Sequence, residues 1–488
     1  MAKRVAVIDI GSNSVRMVVY EKTSRFAFHL LYETKTKVRL SQDVYQNNGN
    51  LQEKPMQRTF EALSNFTTII ESFKVRKTLC VATSALRDAP NKKDFISRVK
   101  KNLKLNIKII SGERESYLGA IACANLLPTQ ESALSIDIGG GSTELSVIND
   151  KSVSNNISLN LGTVRLKELF YDKNNIDEAK KYIDEKLKVL DDLNISSIVG
   201  IGGTFRAISI AIMKDLDYPL KKVHGYECEP KVFKNFLSKI LKADEEMLKN
   251  LNIKKNRFDI IKPGALILDR IIKKLKISNV ITSGVGVREG VYLSDLLRNS
   301  KDKLPINYNT SVRYILDTFV DDSNFSNQLN KLSKNIFDLT HKYLKIDKKY
   351  RKELAIASKL YICGSSINFY FQNRHSYQII KSALEFGLTH QEIVLTATLT
   401  KSNISPSHMS KYKLLLPDED TLRQLIDILS LSTALLSHKP KNIDFNVKFK
   451  DGELIVESKQ SLYLFKEAVK RLERLDRAKD FKIKISAP

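Results

Sequence analysis

Two aspartates in this 488-residue chain occupy the same kind of place. Asp9 closes the apolar run 5–10 just before Gly11-Ser12-Asn13, and Asp137 closes the run 133–138 just before Gly139-Gly140-Gly141. A strand ending at such a turn brings its carboxylate and the following backbone N–H groups into one cleft. Glycine lets amides approach an anion closely, and a nest of amides binds phosphate. The carboxylate cannot bind an anion, but it can hold Mg²⁺ that bridges to one. One strand–Asp–Gly turn is common. Two of them 137 − 9 = 128 positions apart, with further glycine turns at 200–204 and 283–286, point to phosphate chemistry. Arg16, on the strand after the first turn, either adds to the cradle or faces solvent.

The elements that must hold these turns follow from residue periodicity. Residues 14–20 partly alternate, so 5–20 reads as a hairpin, and 133–148 repeats it. We read an internal duplication in which two similar α/β domains face each other. Helical spacing covers 55–73, buried-type strands cover 78–82 and 106–110, and a helix begins at Glu113 with acids in its first turn. Beyond about residue 305 glycines become sparse. Helical patterns there run through 315–319, 329–339, 354–362, 377–386 and 422–436. Residues 441–488 form a small α/β cap, with strands 445–449 and 453–458 and a helix over 462–475. The segment 302–309, with Pro305, is the expected linker.

Composition narrows the class. The chain carries 80 Lys+Arg against 55 Asp+Glu, a net charge of +25 spread along its length. Such a field favours polyanions, or reflects a Lys-rich proteome. With 42% hydrophobic and 28% charged residues, global disorder is excluded. No run of about 18 apolar residues occurs, so no membrane span is expected. Met1–Arg4 leads directly into a strand-like segment, so no secretory leader is expected. The four cysteines, at 80, 123, 228 and 363, form no C-x-x-C pair, which argues against a zinc ribbon and suggests a reducing cytoplasm. Neither a G-x-x-x-x-G-K-[ST] loop nor H-E-x-x-H occurs.

Asp9-Ile10-Gly11-Ser12-Asn13-Ser14-Val15-Arg16 resembles the first phosphate motif of the exopolyphosphatase / guanosine pentaphosphate phosphohydrolase (Ppx/GppA) family. Asp137-Ile138-Gly139-Gly140-Gly141-Ser142-Thr143-Glu144 resembles its second. Further segments match in order at 82–89, 110–115, 161–166, 202–204 and 284–290. This resemblance implies two ribonuclease-H-like domains of the actin / sugar-kinase / heat-shock-chaperone superfamily, over 1–130 and 131–304. A helical HD-like domain over 305–440 and the α/β cap over 441–488 would follow. It also implies hydrolysis of a terminal phosphoanhydride, on inorganic polyphosphate, guanosine pentaphosphate or both.

Such a reaction needs a cradle, a cation and a base aimed at water. Gly11, Ser12, Asn13, Ser14 and Arg16, with Gly139, Gly140, Gly141 and Ser142, would cradle phosphate. Arg87 would grip phosphate oxygens, unless it forms a surface pair with Asp88. Glu115 is preferred as the base, with Glu113 its rival. Asp137 and Glu144 would hold Mg²⁺ or another divalent cation, with Asp9 sharing a water of its shell.

In the HD-like region Tyr361 stands where a histidine is expected and Ile362 where an acid is expected, so no second metal site is expected there. The basic run 347–352 is either a polyanion track or a solvated helix face. His224 is read as structural in preference to a substrate contact. Competing functions are a non-catalytic nucleotide or polyphosphate sensor and a nucleic-acid binder, the latter suggested by charge alone. A homodimer is compatible with the resemblance.

Overall fold

The computed structural model describes residues 4–44, 46–128, 130–401, 404–458, 463–474, 480 and 482–486. They form two compact units, Met1–Tyr308 and Asn309–Pro488. The division falls inside the segment 302–309.

The first unit contains two sheets. Strands β1 (Arg4–Ile10), β2 (Val15–Lys22), β3 (Phe28–Thr36), β4 (Lys77–Ala82) and β5 (Ile107–Ile109) form one sheet in the order β3-β2-β1-β4-β5. The first three are antiparallel neighbours, and β4 and β5 join in parallel. Ala6, Val7, Ile8 and Ile10 are all fully buried. Covered on both faces, β1 is continuously apolar from Val5 to Ile8, as central strands of such sheets are.

The second sheet repeats this plan. Strands β6 (Ala133–Ile138), β7 (Thr143–Asn149), β8 (Ser152–Leu159), β9 (Ser197–Ile201), β10 (Tyr226–Cys228) and β11 (Asn279–Thr282) take the order β10-β11-β9-β6-β7-β8. Thus β8-β7-β6-β9-β11 copies β3-β2-β1-β4-β5, with the same parallel and antiparallel pairs. The duplication read from the sequence is present, as two ribonuclease-H-like lobes. The helices Gly112–Leu126 and Val287–Leu296 pack against each other at the lobe junction.

In the second unit, the helices Thr310–Phe319, Ser323–Thr340, Arg351–Leu360, Gln372–Ala383 and Glu419–Leu435 correspond to the five expected helical patterns. The sheet order β12 (Phe445–Lys450), β13 (Glu453–Ser458), β14 (Lys482–Ser486) contains both expected strands and a third. The last helix spans Tyr463–Arg474; residues 462 and 475 of its expected range lie outside those described. Phe445, Leu454 and Phe465 share one core with Leu329, Ile336 and Leu425, so the cap and the helices are packed as one body.

The basic run 347–352 is taken up locally. Arg351 grips Asp338 with two bonds of 2.7 and 2.6 Å, Lys352 donates to Glu392, and Lys349 pairs with Asp347. Tyr361 caps the helix Arg351–Leu360, and its carbonyl accepts from the Ser376 hydroxyl. No helix among the described residues is long and apolar enough to cross a membrane. All four cysteines are free and buried.

Candidate active site

The two hairpins have matching registers. Asp9 faces Arg16 across β1–β2, and Asp137 faces Glu144 across β6–β7. Each turn closes with the same bond, Gly11 N–H to Ser14 O at 3.2 Å and Gly139 N–H to Ser142 O at 2.9 Å. Outside partners take the tip carbonyls. Ser12 O and Asn13 O accept from the amides of Ser41 and Arg39, and Gly139 O and Gly140 O accept from Thr163 and Val164. Arg165 Nε takes Gly141 O at 2.9 Å. The N–H groups of Ser12, Asn13, Gly140 and Gly141 have no acceptor among the described residues. Unpaired amides beside a cleft are what an anion-binding nest requires.

The tips meet. A Cβ placed on Gly140 would lie 3.0 Å from the Cβ of Ser12. Ser12 is also tied to Ser84 by a 3.0 Å hydroxyl contact. Between the lobes lies a cavity of about 150 Å³, lined by residues of both tips together with Asp9, Arg16, Glu115, Asp137 and Glu144.

Glu115 reaches this cavity from the helix Gly112–Leu126, whose start is fixed by Ser111 accepting from the amide of Arg114. Gly112 is needed for approach, since a Cβ there would come within 2.3 Å of the Ser158 Cβ. Ser158 in turn donates to Glu144 Oε1 at 2.9 Å. Glu115 Oε2 accepts from Arg87 Nη1 at 2.9 Å, and no described residue donates to its other oxygen. Burial first, then the neighbouring Glu144, pushes the Glu115 carboxyl well above its usual range, and Arg87 opposes the rise. A carboxyl so raised is suited to accept a proton near neutral pH.

Burial likewise raises Asp137, to about 6, with Arg206 opposing most strongly. Glu144 is raised by burial and by Asp137, and is held back by bonds from Ser142 and Ser158. Asp9 is raised by burial, against the pull of Arg288 and then Arg16. Among the described residues, no group of three His, Cys, Asp or Glu side chains could hold a metal ion. Asp9, expected to join the metal pair, stands in the field of Arg288 and Arg16. Asp137 and Glu144, adjacent in register, fit Mg²⁺ of the kind that keeps waters and completes its shell with substrate phosphate.

Three expected site residues lie off the cavity wall. Glu113 is exposed in the first turn of its helix, two positions and about 200° around from Glu115. Gly141 does not line the cavity. Arg87, expected to grip phosphate or pair with Asp88, donates to Glu115 Oε2 and lies 3.6 Å from Asp88.

Sequence reasoning missed a set of cations. Lys35 on β3, Arg206, Arg257 and Arg288 join Arg16 on the cavity wall. Burial and the crowd of Arg16, Arg257, Arg206 and Arg288 depress the Lys35 ammonium to about 7. Arg206 donates to the carbonyls of Gly202 and Gly284, and Arg288 pairs with Glu33. Two helix N-termini, at Gly202 and Val287, also open here and favour negative charge. Gly202, at φ +86°, admits Asp137 so closely that a Cβ would fall 2.3 Å from its Oδ1. The segments 202–204 and 284–290 had been singled out as motifs, but only contacts between distant elements reveal the cation cluster.

His224 has a structural part. Its Nδ1 accepts from the amide of Gly284 at 3.1 Å, so Nε2 carries the proton and donates to Leu126 O at 2.9 Å. Glu289 is fully used as a brace: its oxygens accept from Tyr20 at 2.5 Å and from the Gly286 amide at 2.8 Å.

Comparison with known proteins places this geometry. The profile of the Ppx/GppA phosphatase family matches residues 18–299, and that of Ppx/GppA phosphatase domain III matches residues 309–473. The bifunctional 3-dehydroquinate synthase/phosphatase of Fusobacterium nucleatum subsp. nucleatum is 33% identical over 289 residues, 55% of this chain, and the chain spans 43% of that relative's length. A Ppx/GppA family member from Aquifex aeolicus superimposes with a TM-score of 0.54 at 28% identity, covering 62% of this chain and 99% of that one. An exopolyphosphatase from Cytophaga hutchinsonii, 23% identical, shares the fold with a TM-score of 0.57 over 62% of this chain and 100% of its own. With more than half its length matched by the family profile, the chain belongs to the Ppx/GppA phosphatase family.

Proposed function

We propose that this protein hydrolyses the terminal phosphoanhydride of linear inorganic polyphosphate, with guanosine pentaphosphate a poorer substrate. The observation that carries the reading is the meeting of two amide-bearing tips beside Glu115, a buried acid held by Arg87. The tips bind the terminal phosphate. Arg16, Arg206 and Arg288 offset the charge of the groups behind it. Glu115, held by Arg87, accepts a proton from water as the water oxygen attacks the terminal phosphorus. The bond from that phosphorus to the bridging oxygen breaks, and the shortened chain leaves with the electron pair. Magnesium, held by Asp137 and Glu144, would neutralise charge on the phosphate oxygens.

The preference for a chain rests on what adjoins the cleft. A second cavity of about 150 Å³ shares Asn13, Lys35 and Arg257 with it and adds Lys37. That extension is lined by three cations, with neither a carboxylate nor an aromatic ring. A phosphate chain needs such a wall, whereas a guanine base would use a ring to stack on. Phosphate release at matched concentrations of polyphosphate and guanosine pentaphosphate, with and without Mg²⁺, tests the reading. The expected result is a higher kcat/KM for polyphosphate and loss of activity with a chelator. Preference for the guanosine compound would overturn the substrate assignment, and binding without release from either would make the protein a sensor.

A further inference from the structure

A second cationic cavity lies far from the cleft. It opens at the starts of β1 and β4, whose ends carry Asp9 and Ala82. Arg4 is five residues before Asp9, so the two sites are about 17 Å apart along the strand. The cavity measures about 570 Å³ and is walled by both lobes. That is room for several phosphate groups, in the range of small-molecule sites.

Its wall carries six cations, Arg4, Lys22, Arg25, Arg76, Lys77 and Arg298, against one carboxylate, Asp295. Asp295 is already shared by Lys77 at 2.5 Å and Arg298 at 3.5 Å. Arg4 pairs with Glu21 and donates to Phe73 O, which fixes its guanidinium. Arg25 lies over the Phe26 ring at 5.0 Å. Neither Arg25 nor Arg76 is paired with a carboxylate among the described residues. Like charges gathered in a concave wall repel one another unless an anion joins them, and the concavity concentrates their field.

We propose that this cavity is a second binding site for an oligophosphate group, either a free phosphate chain or the phosphates of a nucleotide. Arg25 and Arg76 supply the uncommitted guanidinium forks, and Arg4 and Lys77 supply charge at the strand ends. The helix Val287–Leu296 connects the two sites, placing Arg288 and Glu289 at the cleft and Asp295 at this cavity. The site does not depend on the hydrolytic reading of the cleft.

Calorimetric titration of the full chain with tripolyphosphate in EDTA, where Mg²⁺-dependent turnover is blocked, tests the proposal by stoichiometry. The wild type should bind two equivalents. The double variant Arg25→Glu/Arg76→Glu should keep one and lose the other by about a hundredfold, two charge-assisted contacts being removed. The control Lys100→Glu/Lys101→Glu reverses two exposed cations of the helix Lys92–Leu103 and should keep both equivalents. A repeat with GTP separates the sources: a second equivalent bound more tightly than tripolyphosphate assigns a nucleotide, and equal or weaker binding assigns the chain. A double variant that keeps the wild-type count and affinity, or equal losses in the variant and the control, would overturn the site. Failure of the cleft to release phosphate would leave this count unchanged.

Discussion

The hairpins 4–22 and 133–149 share one register and differ in the partner that faces the aspartate. Position 16 corresponds to position 144, since 16 + 128 = 144 and 9 + 128 = 137. In the first lobe the aspartate faces Arg16; in the second it faces Glu144. Duplication preserved the amide nest on both sides and divided the charges. The first hairpin pairs its aspartate with a cation, and the second pairs its aspartate with another carboxylate. A symmetric fold thus builds an asymmetric site through different residues at equivalent places, Arg16 and Glu144.

Breaking the carboxylate side should cost most. Asp137→Asn is expected to lower phosphate release about a thousandfold, because metal charge stabilisation is worth several kcal/mol. A magnesium titration of initial rates would measure this, and a loss below tenfold would remove Asp137 from the metal site. Breaking the cationic side should act on binding. Arg16→Gln is expected to raise KM about 10- to 100-fold, with kcat moving less. Steady-state kinetics with an unchanged KM would return Arg16 to a structural part.

The smallest expected effect sharpens the comparison on the cationic side. Lys35 has its ammonium depressed to about 7 while the cleft lacks an anion. Below that pH it is already charged. Above it the free protein has lost the proton, and a bound polyanion restores it. Binding at pH 8 should therefore take up a proton, and binding at pH 6 should not. Titrations in buffers of different ionisation enthalpy would detect the uptake, which Lys35→Met should reduce. Equal uptake in that variant would contradict the assignment.

The sequence carried the hairpins because their strands are buried, apolar and short, and because glycine and aspartate mark their ends. The helices of 53–72 and 419–435 were legible for a related reason, their apolar residues recurring on one face. Strand β3 was missed. It lies at a sheet edge, and its apolar residues Phe28 and Leu30–Tyr32 are broken by His29 and followed by Glu33 and Lys35, so neither a buried run nor an alternation stands out. The helix His390–Leu399 was missed for the opposite reason: all but two of its residues are buried, so no face shows a period. Lys35, Arg206 and Arg257 could not be read as one cluster. They converge from a sheet edge and two helical segments spread over 257 − 35 = 222 positions, and nothing local to any of them signals the meeting. The helix phase separates Glu113, exposed, from Glu115, on the cavity wall, in line with the preference for Glu115.

The central claim is that Glu115 takes the proton from the water that attacks a phosphate held between the two tips. Phosphate release from polyphosphate by Glu115→Gln, measured beside its affinity for the same chain, tests it most directly. The account predicts a fall of about 10²- to 10⁴-fold in release with affinity retained. Release at the wild-type rate would contradict it.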